Sequence, residues 1–226
     1  MTLHPLHEAL DTVLRARHSC RAFAPRPVPR PVIMQILETA QRTASWCNAQ
    51  PWQLHLVSGT AVERLRDALM AAATSERSRS DIPWPREYRG VYRERRRECG
   101  WGLYESVGIA VGDRAASAAQ GAENYRLFGA PHVAIVSSDE ALGTYGAVDC
   151  GAYVGNFMAA ACSLGVASIA QAALAACPDV LRAELDIPLD RLIVCGISFG
   201  YEDADHPANK FRTTRAPVSE NVVWRD

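Results

Sequence analysis

Arg17-His18-Ser19-Cys20-Arg21-Ala22-Phe23 closes an amphipathic helical pattern, and Ser45-Trp46-Cys47-Asn48-Ala49-Gln50-Pro51-Trp52 answers it further down the chain. The first stretch brings two guanidiniums, an imidazole and a hydroxyl together. An arginine fork suits a phosphate, and a serine adds a hydroxyl donor. The stretch therefore has the make-up of an anion clamp, although an arginine-rich helix end is also, on local chemistry alone, a solvated face. The second stretch sets two amides, Asn48 and Gln50, two residues apart before a Pro-Trp that opens a strand. Amides at that spacing can meet the edge of a planar heterocycle.

Working outward, residues 5–17 are predicted as a helix, with Leu6, Leu10, Val13 and Leu14 at helical spacing and Arg15 and Arg17 in the last turn. Prolines at 25, 27, 29 and 31 exclude a helix there and predict a stiff linker. A second amphipathic helix is expected over 31–43 and a strand over 52–57. A capping box at Thr60 and Glu63 starts a helix to about 73. Further helices are expected over 101–111, 115–128, 146–164 and 178–185. Apolar runs predict strands over 131–136, 166–170 and 192–199. Gln171 is assigned as a polar helix cap. The helix over 146–164 is rich in small residues and suits a central core or a dimer interface. Val222-Val223-Trp224 is too apolar for a loose tail and is expected to form an edge strand or to bury, with a second subunit as the natural cover.

Residues 74–100 differ from the rest. Arg86, Arg89, Arg93, Arg95, Arg96 and Arg97 are interspersed with Glu87, Glu94 and Glu98, and Tyr88 and Tyr92 sit among them. Two readings stay open. One is a solvated helix laced by i,i+4 ion pairs. The other is a mobile lid in which Tyr88 or Tyr92 stacks on an aromatic substrate and an arginine receives its carboxylate.

Composition narrows the field. The chain of 226 residues suits one domain with a sizeable core. A net charge of -1 gives no field that favours nucleic acid or an anionic membrane. No apolar run is long enough to span a bilayer, and the first residues lack the pattern of a secretory signal. The 7 cysteines are odd in number and show no C-x-x-C spacing, which argues against a disulfide framework or a zinc site and suits the reducing cytoplasm. Most are expected to pack as small buried hydrophobes, Cys47 among them. No phosphate-binding glycine motif and no Gly-x-Ser-x-Gly elbow occurs. Asp139/Glu140 and Glu202/Asp203/Asp205 with His206 fall in turn-type segments and are expected to be solvated rather than to bind a metal.

The R-H-S-x-R-x-F run, followed by S-x-x-N-x-Q-P-W, resembles the nitroreductase family of FMN enzymes. The resemblance extends to Gly200-Tyr201 and to Asn209-Lys210-Phe211-Arg212-Thr213-Thr214-Arg215-Ala216-Pro217, which is similar to that family's C-terminal flavin-binding arm. The Y-R-x-R-R-x-x-x-G-W-x-L-Y pattern resembles the subgroup that includes nitrobenzoate reductases.

The layer pattern alone gives only mixed α and β. The resemblance implies an α+β fold with a central, mostly antiparallel sheet surrounded by helices, and a C-terminal arm exchanged with a partner subunit. It implies one FMN-binding domain over 1–226 with a lid at about 74–100. Arg17, Ser19 and Arg215 would hold the FMN phosphate and ribityl end, with His18, Arg21 and Arg212 close by. Asn48 and Gln50 would meet the isoalloxazine or ribityl from the partner subunit. Ser168, Ile169 and Ala170 match the segment whose backbone faces the flavin N5 edge. Trp46, Tyr88 and Tyr92 are the substrate-side candidates. Trp46 is bulky where many members carry a small residue. NADPH or NADH would reduce FMN in a ping-pong cycle, and an aromatic acceptor would then take the same place, with flavin N5 rather than a protein acid or base carrying the chemistry. The alternatives are a specialised member (aromatic dehalogenation, flavin conversion or a biosynthetic dehydrogenation) and a non-catalytic flavin-binding dimer.

Overall fold

The structure is a computed structural model that describes residues 4–73 and 80–225. Helix α1 (Pro5–Ala16) starts behind His4, whose Nδ1 accepts from the Leu6 N–H at 3.2 Å, and ends where Arg17 turns extended. Its leucine stripe faces outward: Leu6, Leu10 and Leu14 are 75%, 56% and 53% exposed. Strand β1 (Phe23–Ala24) follows, then the proline run, and α2 (Arg30–Ala40). The run is pinned rather than free, because Val28 is buried and its N–H donates to His132 Nε2 at 2.9 Å.

Strand β2 (Gln53–Ser58) and α3 (Thr60–Ala73) lie where the alternation and the capping pattern predict them. The charged region differs from expectation. Helix α4 (Gly90–Ser106) runs unbroken through the arginines and past Trp101. Its Glu and Arg residues are good helix formers, and no proline follows Pro85 to stop it. The expected i,i+4 ion pairs do not form among the described residues. Arg89 pairs with Glu87 just outside the helix, and Arg95 pairs with Glu220 of the C-terminal arm at 2.9 Å. Residues 74–79 of the expected lid lie outside the described residues, as do 1–3 and 226 of the expected domain.

Helix α5 (Arg114–Ala122) is shorter than its pattern. Leu127 and Phe128 adopt left-handed backbone (φ 57° and 52°) in a tight turn that buries both side chains. Then come β3 (His132–Asp139), α6 (Gly143–Ser163), β4 (Ala167–Gln171), α7 (Pro178–Leu185) and β5 (Arg191–Glu202).

The strand pairings are antiparallel. The order is β1-β5-β3-β2, with β4 also on β5. Both faces of the sheet are covered, which is why β3 and β5 read as unbroken apolar runs although neighbouring side chains point opposite ways. Val133 and Ile135 join the layer of α3 and α7, with Leu65, Leu69 and Leu181. Ala134 and Val136 join the layer of α2 and α6, with Ile36, Tyr153 and Phe157. Gly196 lies where a Cβ would stand 2.3 Å from Leu174 Cδ1, so only a glycine lets the Leu174 side chain press against β5. Val222, Val223 and Trp224 form no strand on the single chain, and Trp224 is 78% exposed.

Candidate functional site

The clamp is built where α1 meets the sheet. Arg17 leaves the helix with φ -64° and ψ 127°, so the chain runs on extended beside β4. Ser19 bridges Ser168 in parallel fashion, and the Cys20 N–H donates to Ser168 O at 3.2 Å. Cys20 and Phe23 are buried and anchor the loop from below. Burial pushes the Cys20 thiol up to about 12, so it is an inert packing group.

Asn209 closes the clamp from the other end of the chain. It is buried; its Oδ1 accepts from the Arg21 N–H at 2.7 Å, and its Nδ2 donates to Ala22 O and Asp203 O, each at 2.8 Å. That knot brings the segment 211–215 over the loop. Between them lies a cavity of about 400 Å³ lined by Arg15, Arg17, His18, Ser19, Arg21, Arg212 and Arg215, with Leu14, Phe211 and Thr213. No carboxylate lines it. Arg15 is paired with Asp11 at 2.6 Å, but Arg17, Arg21, Arg212 and Arg215 have no acidic partner among the described residues. Burial lowers the Arg21 pKa, the mark of a cation short of a counter-charge. Arg215 is steadied by Thr213 Oγ1 and Thr214 O, both accepting from its Nη1 at 2.8 Å.

His18 is part-buried and held at both ring nitrogens. Its Nε2 lies 2.9 Å from Glu202 Oε1 and its Nδ1 lies 3.2 Å from Ala16 O. Both partners are acceptors, so the ring ties the loop to the end of β5. Ser168 is buried under the loop and lines a smaller cavity of about 190 Å³ with Arg17, His18 and Glu202.

Ile169 and Ala170 open onto a neighbouring cavity of about 270 Å³, which shares Ser19 and Arg21 with the arginine cavity. Gln120, Asn124 and Tyr104 add polar groups there. Sequence reasoning missed these; the only signal was two amides at i and i+4 near the end of α5. It placed Asn209 in the arm without its structural role, and it expected Glu202 to be a solvated turn residue, whereas Glu202 ends β5 and pairs with His18; both roles depend on contacts across almost the whole chain. Gln171 stands at the N-cap position of the 3-10 turn Ala172–Ala176, but its side chain makes no capping hydrogen bond there. It is buried, accepts from Ser198 Oγ at 2.5 Å and donates to Asn124 O at 2.9 Å, so it ties β4 to β5 and to the end of α5.

The amide loop lies elsewhere on the chain. Asn48 and Gln50 line a separate, open cleft of about 760 Å³ with Glu38, Gln41 and Arg42. A single chain therefore does not unite them with the arginine cavity. Three non-glycine residues there are left-handed: Cys47 (φ 51°), Asn48 (φ 55°) and Gln50 (φ 49°). Such backbone costs on the order of 1–3 kcal/mol per residue and is kept where surroundings over-determine it. Cys47 is exposed, not a packing residue, because this turn lifts it off the core. Trp46 is exposed and meets the Tyr145 ring edge-on with centroids 4.3 Å apart.

Tyr88 and Tyr92 are exposed, and the Arg96 guanidinium lies 5.2 Å from the Tyr88 ring centroid. Neither tyrosine lines the arginine cavity or the cavity beside β4. Other residues of α4 form a groove of about 820 Å³ against the arm, and Arg212, Thr213 and Arg215 face both this groove and the arginine cavity. A Cβ on Gly102 would stand 2.5 Å from the Phe211 ring, so α4 and the arm are in close contact.

A model of the nitroreductase family matches residues 14–201. The chain is 37% identical to nitroreductase NfnB of Mycolicibacterium smegmatis over 96% of this chain and 93% of that protein. It is 35% identical to a 4-nitrobenzoate reductase of a Nocardioides species over 98% of this chain and 93% of the other. The crystal structure of the FMN-dependent nitroreductase NfnB from Mycobacterium smegmatis in complex with NADPH superposes with a TM-score of 0.93, at 36% identity, covering 98% of this chain and 100% of that one.

Proposed function

The chain belongs to the nitroreductase family, and from that premise we propose that it is an FMN-dependent oxidoreductase that uses NAD(P)H, by a ping-pong mechanism, to reduce nitroaromatic or related electrophilic acceptors. The observation that carries this is the arginine cavity, lined by no carboxylate and continuous with the edge of β4. FMN is a phosphate dianion joined to a planar ring with donors and acceptors on its rim, and the donor set fits both parts.

Arg17, Ser19 and Arg215 suit the phosphate and ribityl end, with Arg212 beside them. Arg21 lines both cavities, which suits a charge that serves the phosphate end and the ring end together. Its charge is poorly solvated there, which strengthens its pull on the negative charge that reduction brings. His18 contributes by holding the loop to Glu202. The β4 backbone at Ile169 and Ala170 offers its edge to the ring. When bound, FMN supplies the redox chemistry, accepting from the nicotinamide and giving to the acceptor. The chain binds, orients and balances charge, and no side chain of the cavity is needed as an acid or base.

A homodimer completes this reading, with Asn48, Gln50 and Trp46 of one protomer meeting the arginine cavity of the other. The open leucine face of α1, the exposed Tyr145 and Val148 of α6, and the exposed Trp224 support a second copy as the cover. Tyr88, just before α4, and Tyr92 in its first turn suit the rim where an aromatic acceptor enters, and one domain with the charged segment around α4 as its lid is the organisation we favour. The cysteines are free thiols, which supports a reducing cytoplasm, and no described helix is long and apolar enough to cross a membrane.

The test is the visible absorption spectrum of the purified protein, before and after NADPH is added without air. Flavin bands that bleach on NADPH and return on addition of nitrobenzene bear the reading out. A colourless protein that takes up no added FMN overturns it.

A further inference from the structure

The left-handed loop is held in place by one face of α6. Tyr145, Asp149 and Asn156 fall at i, i+4 and i+11 of that helix, so they share a side. The Trp46 N–H donates to both Asp149 carboxylate oxygens, at 3.1 and 3.3 Å, where the turn over Trp46–Asn48 begins. The Tyr145 ring meets the Trp46 indole edge-on at 4.3 Å. Asn156 Nδ2 donates to Thr43 Oγ1 at 2.8 Å just before the loop. Beyond the turn, the Gln50 N–H donates to Ser45 Oγ at 2.9 Å, and Gln41 Nε2 donates to Gln50 Oε1 at 3.1 Å. Gln41 is itself fixed, since Trp52 Nε1 donates to its Oε1 at 3.1 Å.

These contacts account for backbone that three L residues would otherwise avoid. They also explain an exposed aromatic pair. Trp46 and Tyr145 are 57% and 60% exposed, yet their rings are locked against each other rather than splayed.

We propose that Asp149 and Tyr145 are positioning residues for the acceptor side of the site. Through them α6 sets the plane of the Trp46 indole and the direction of the Asn48 and Gln50 amides, and the enzyme thereby prefers flat aromatic acceptors to small aliphatic ones. This rests on the flavin reading above. Asp149 acts through the Trp46 amide and Tyr145 through the indole, and neither touches the reacting atoms.

The test compares Asp149→Ala, Asp149→Asn, Tyr145→Ala and Tyr145→Phe in the flavin-loaded protein. Asn keeps an oxygen that accepts from the Trp46 N–H, and Phe keeps the ring, so both conservative variants retain the wild-type KM for nitrobenzene. The two alanine variants raise that KM by about 10-fold or more, while the rate of flavin reduction by NADPH stays within about 2-fold and the KM for nitroethane moves little. Unchanged KM in Asp149→Ala, or Asp149→Asn as impaired as Asp149→Ala, overturns the proposal. Hydrogen exchange of residues 45–50 gives a readout free of turnover. Faster exchange in Asp149→Ala but not in Asp149→Asn, with the rest of α6 as protected as before, supports positioning; equal exchange in all variants overturns it. If the wild type neither holds flavin nor reduces nitrobenzene, the functional reading falls, and the exchange result alone decides the role of Asp149.

Discussion

Asn209 holds Arg21 by its backbone: the Arg21 N–H donates to Asn209 Oδ1 at 2.7 Å, across 188 positions of sequence. The same side chain donates to Ala22 O and Asp203 O. Asn209→Ala is expected to leave the part-buried Arg21 N–H without its partner, at about 1–3 kcal/mol, and to remove one donor each from Ala22 O and Asp203 O, which keep the Asp203 and His206 N–H groups. Asn209→Asp keeps the acceptor but loses both donations, so it fails as well. The expected outcome is a lower Tm together with loss of bound flavin, read by thermal melting and by absorbance.

Arg17 and Arg215 reach the arginine cavity from opposite ends of the chain. Hydrogen bonds to charged groups contribute about 1.5–3 kcal/mol, so each alanine variant is expected to weaken FMN by roughly 10- to 100-fold. The double variant should be isolated without flavin. Flavin titration followed by fluorescence checks this, and wild-type affinity in the double variant would remove the phosphate assignment. Raising the salt should weaken FMN in the wild type more than in the double variant.

His132 makes stability depend on pH. Its Nε2 accepts from the Val28 N–H and its Nδ1 lies 2.7 Å from Ser58 Oγ, so the ring is neutral with its proton on Nδ1. Burial holds its pKa below the usual 6.5. A lowered folded value means the unfolded chain binds the extra proton first. Stability is therefore full above about pH 6.5 and is lost as the pH falls towards the folded value, with a slope of up to about 1.4 kcal/mol per pH unit for one proton. His55, lowered by burial and by Arg191, adds to the same trend. Melting between pH 7.5 and pH 5 should show the fall, and His132→Asn should flatten it in part.

Gly196→Val should overpack the sheet against Leu174 and Ile135, both of which are buried. The expected cost is about 1–3 kcal/mol. Denaturant unfolding reads it as a lower midpoint, and a midpoint equal to the wild type would mean that Leu174 has another place to go.

Much was legible in local patterns. The Leu6, Leu10 and Leu14 spacing marked α1, the apolar runs marked β3 and β5, and the Arg17–Phe23 and Asn48/Gln50 stretches marked the two candidate loops. These are short-range signals: side-chain periodicity follows from backbone geometry, and donor chemistry belongs to residue type. Helix α4 was legible as a charged helix but not in its extent: Glu and Arg favour helix through the charged run, so it continues unbroken to Ser106 where a separate helix was expected from Trp101. Gln171 does start a helical turn, but its side chain's partners were not legible, because a lone glutamine after a strand carries no sign of its burial.

Local pattern was enough to identify mixed α and β, the phosphate-suited arginines and the amide loop, since each depends on neighbours within a few residues, while the α+β class came from the family resemblance. Only folding in three dimensions decided that Asn209 ties the arm to Arg21, that four arginines share a cavity without a carboxylate partner, and that α6 holds Trp46. Those facts depend on contacts between residues a hundred or more positions apart, and no local pattern encodes which distant partner will satisfy a buried donor or leave a buried cation without one.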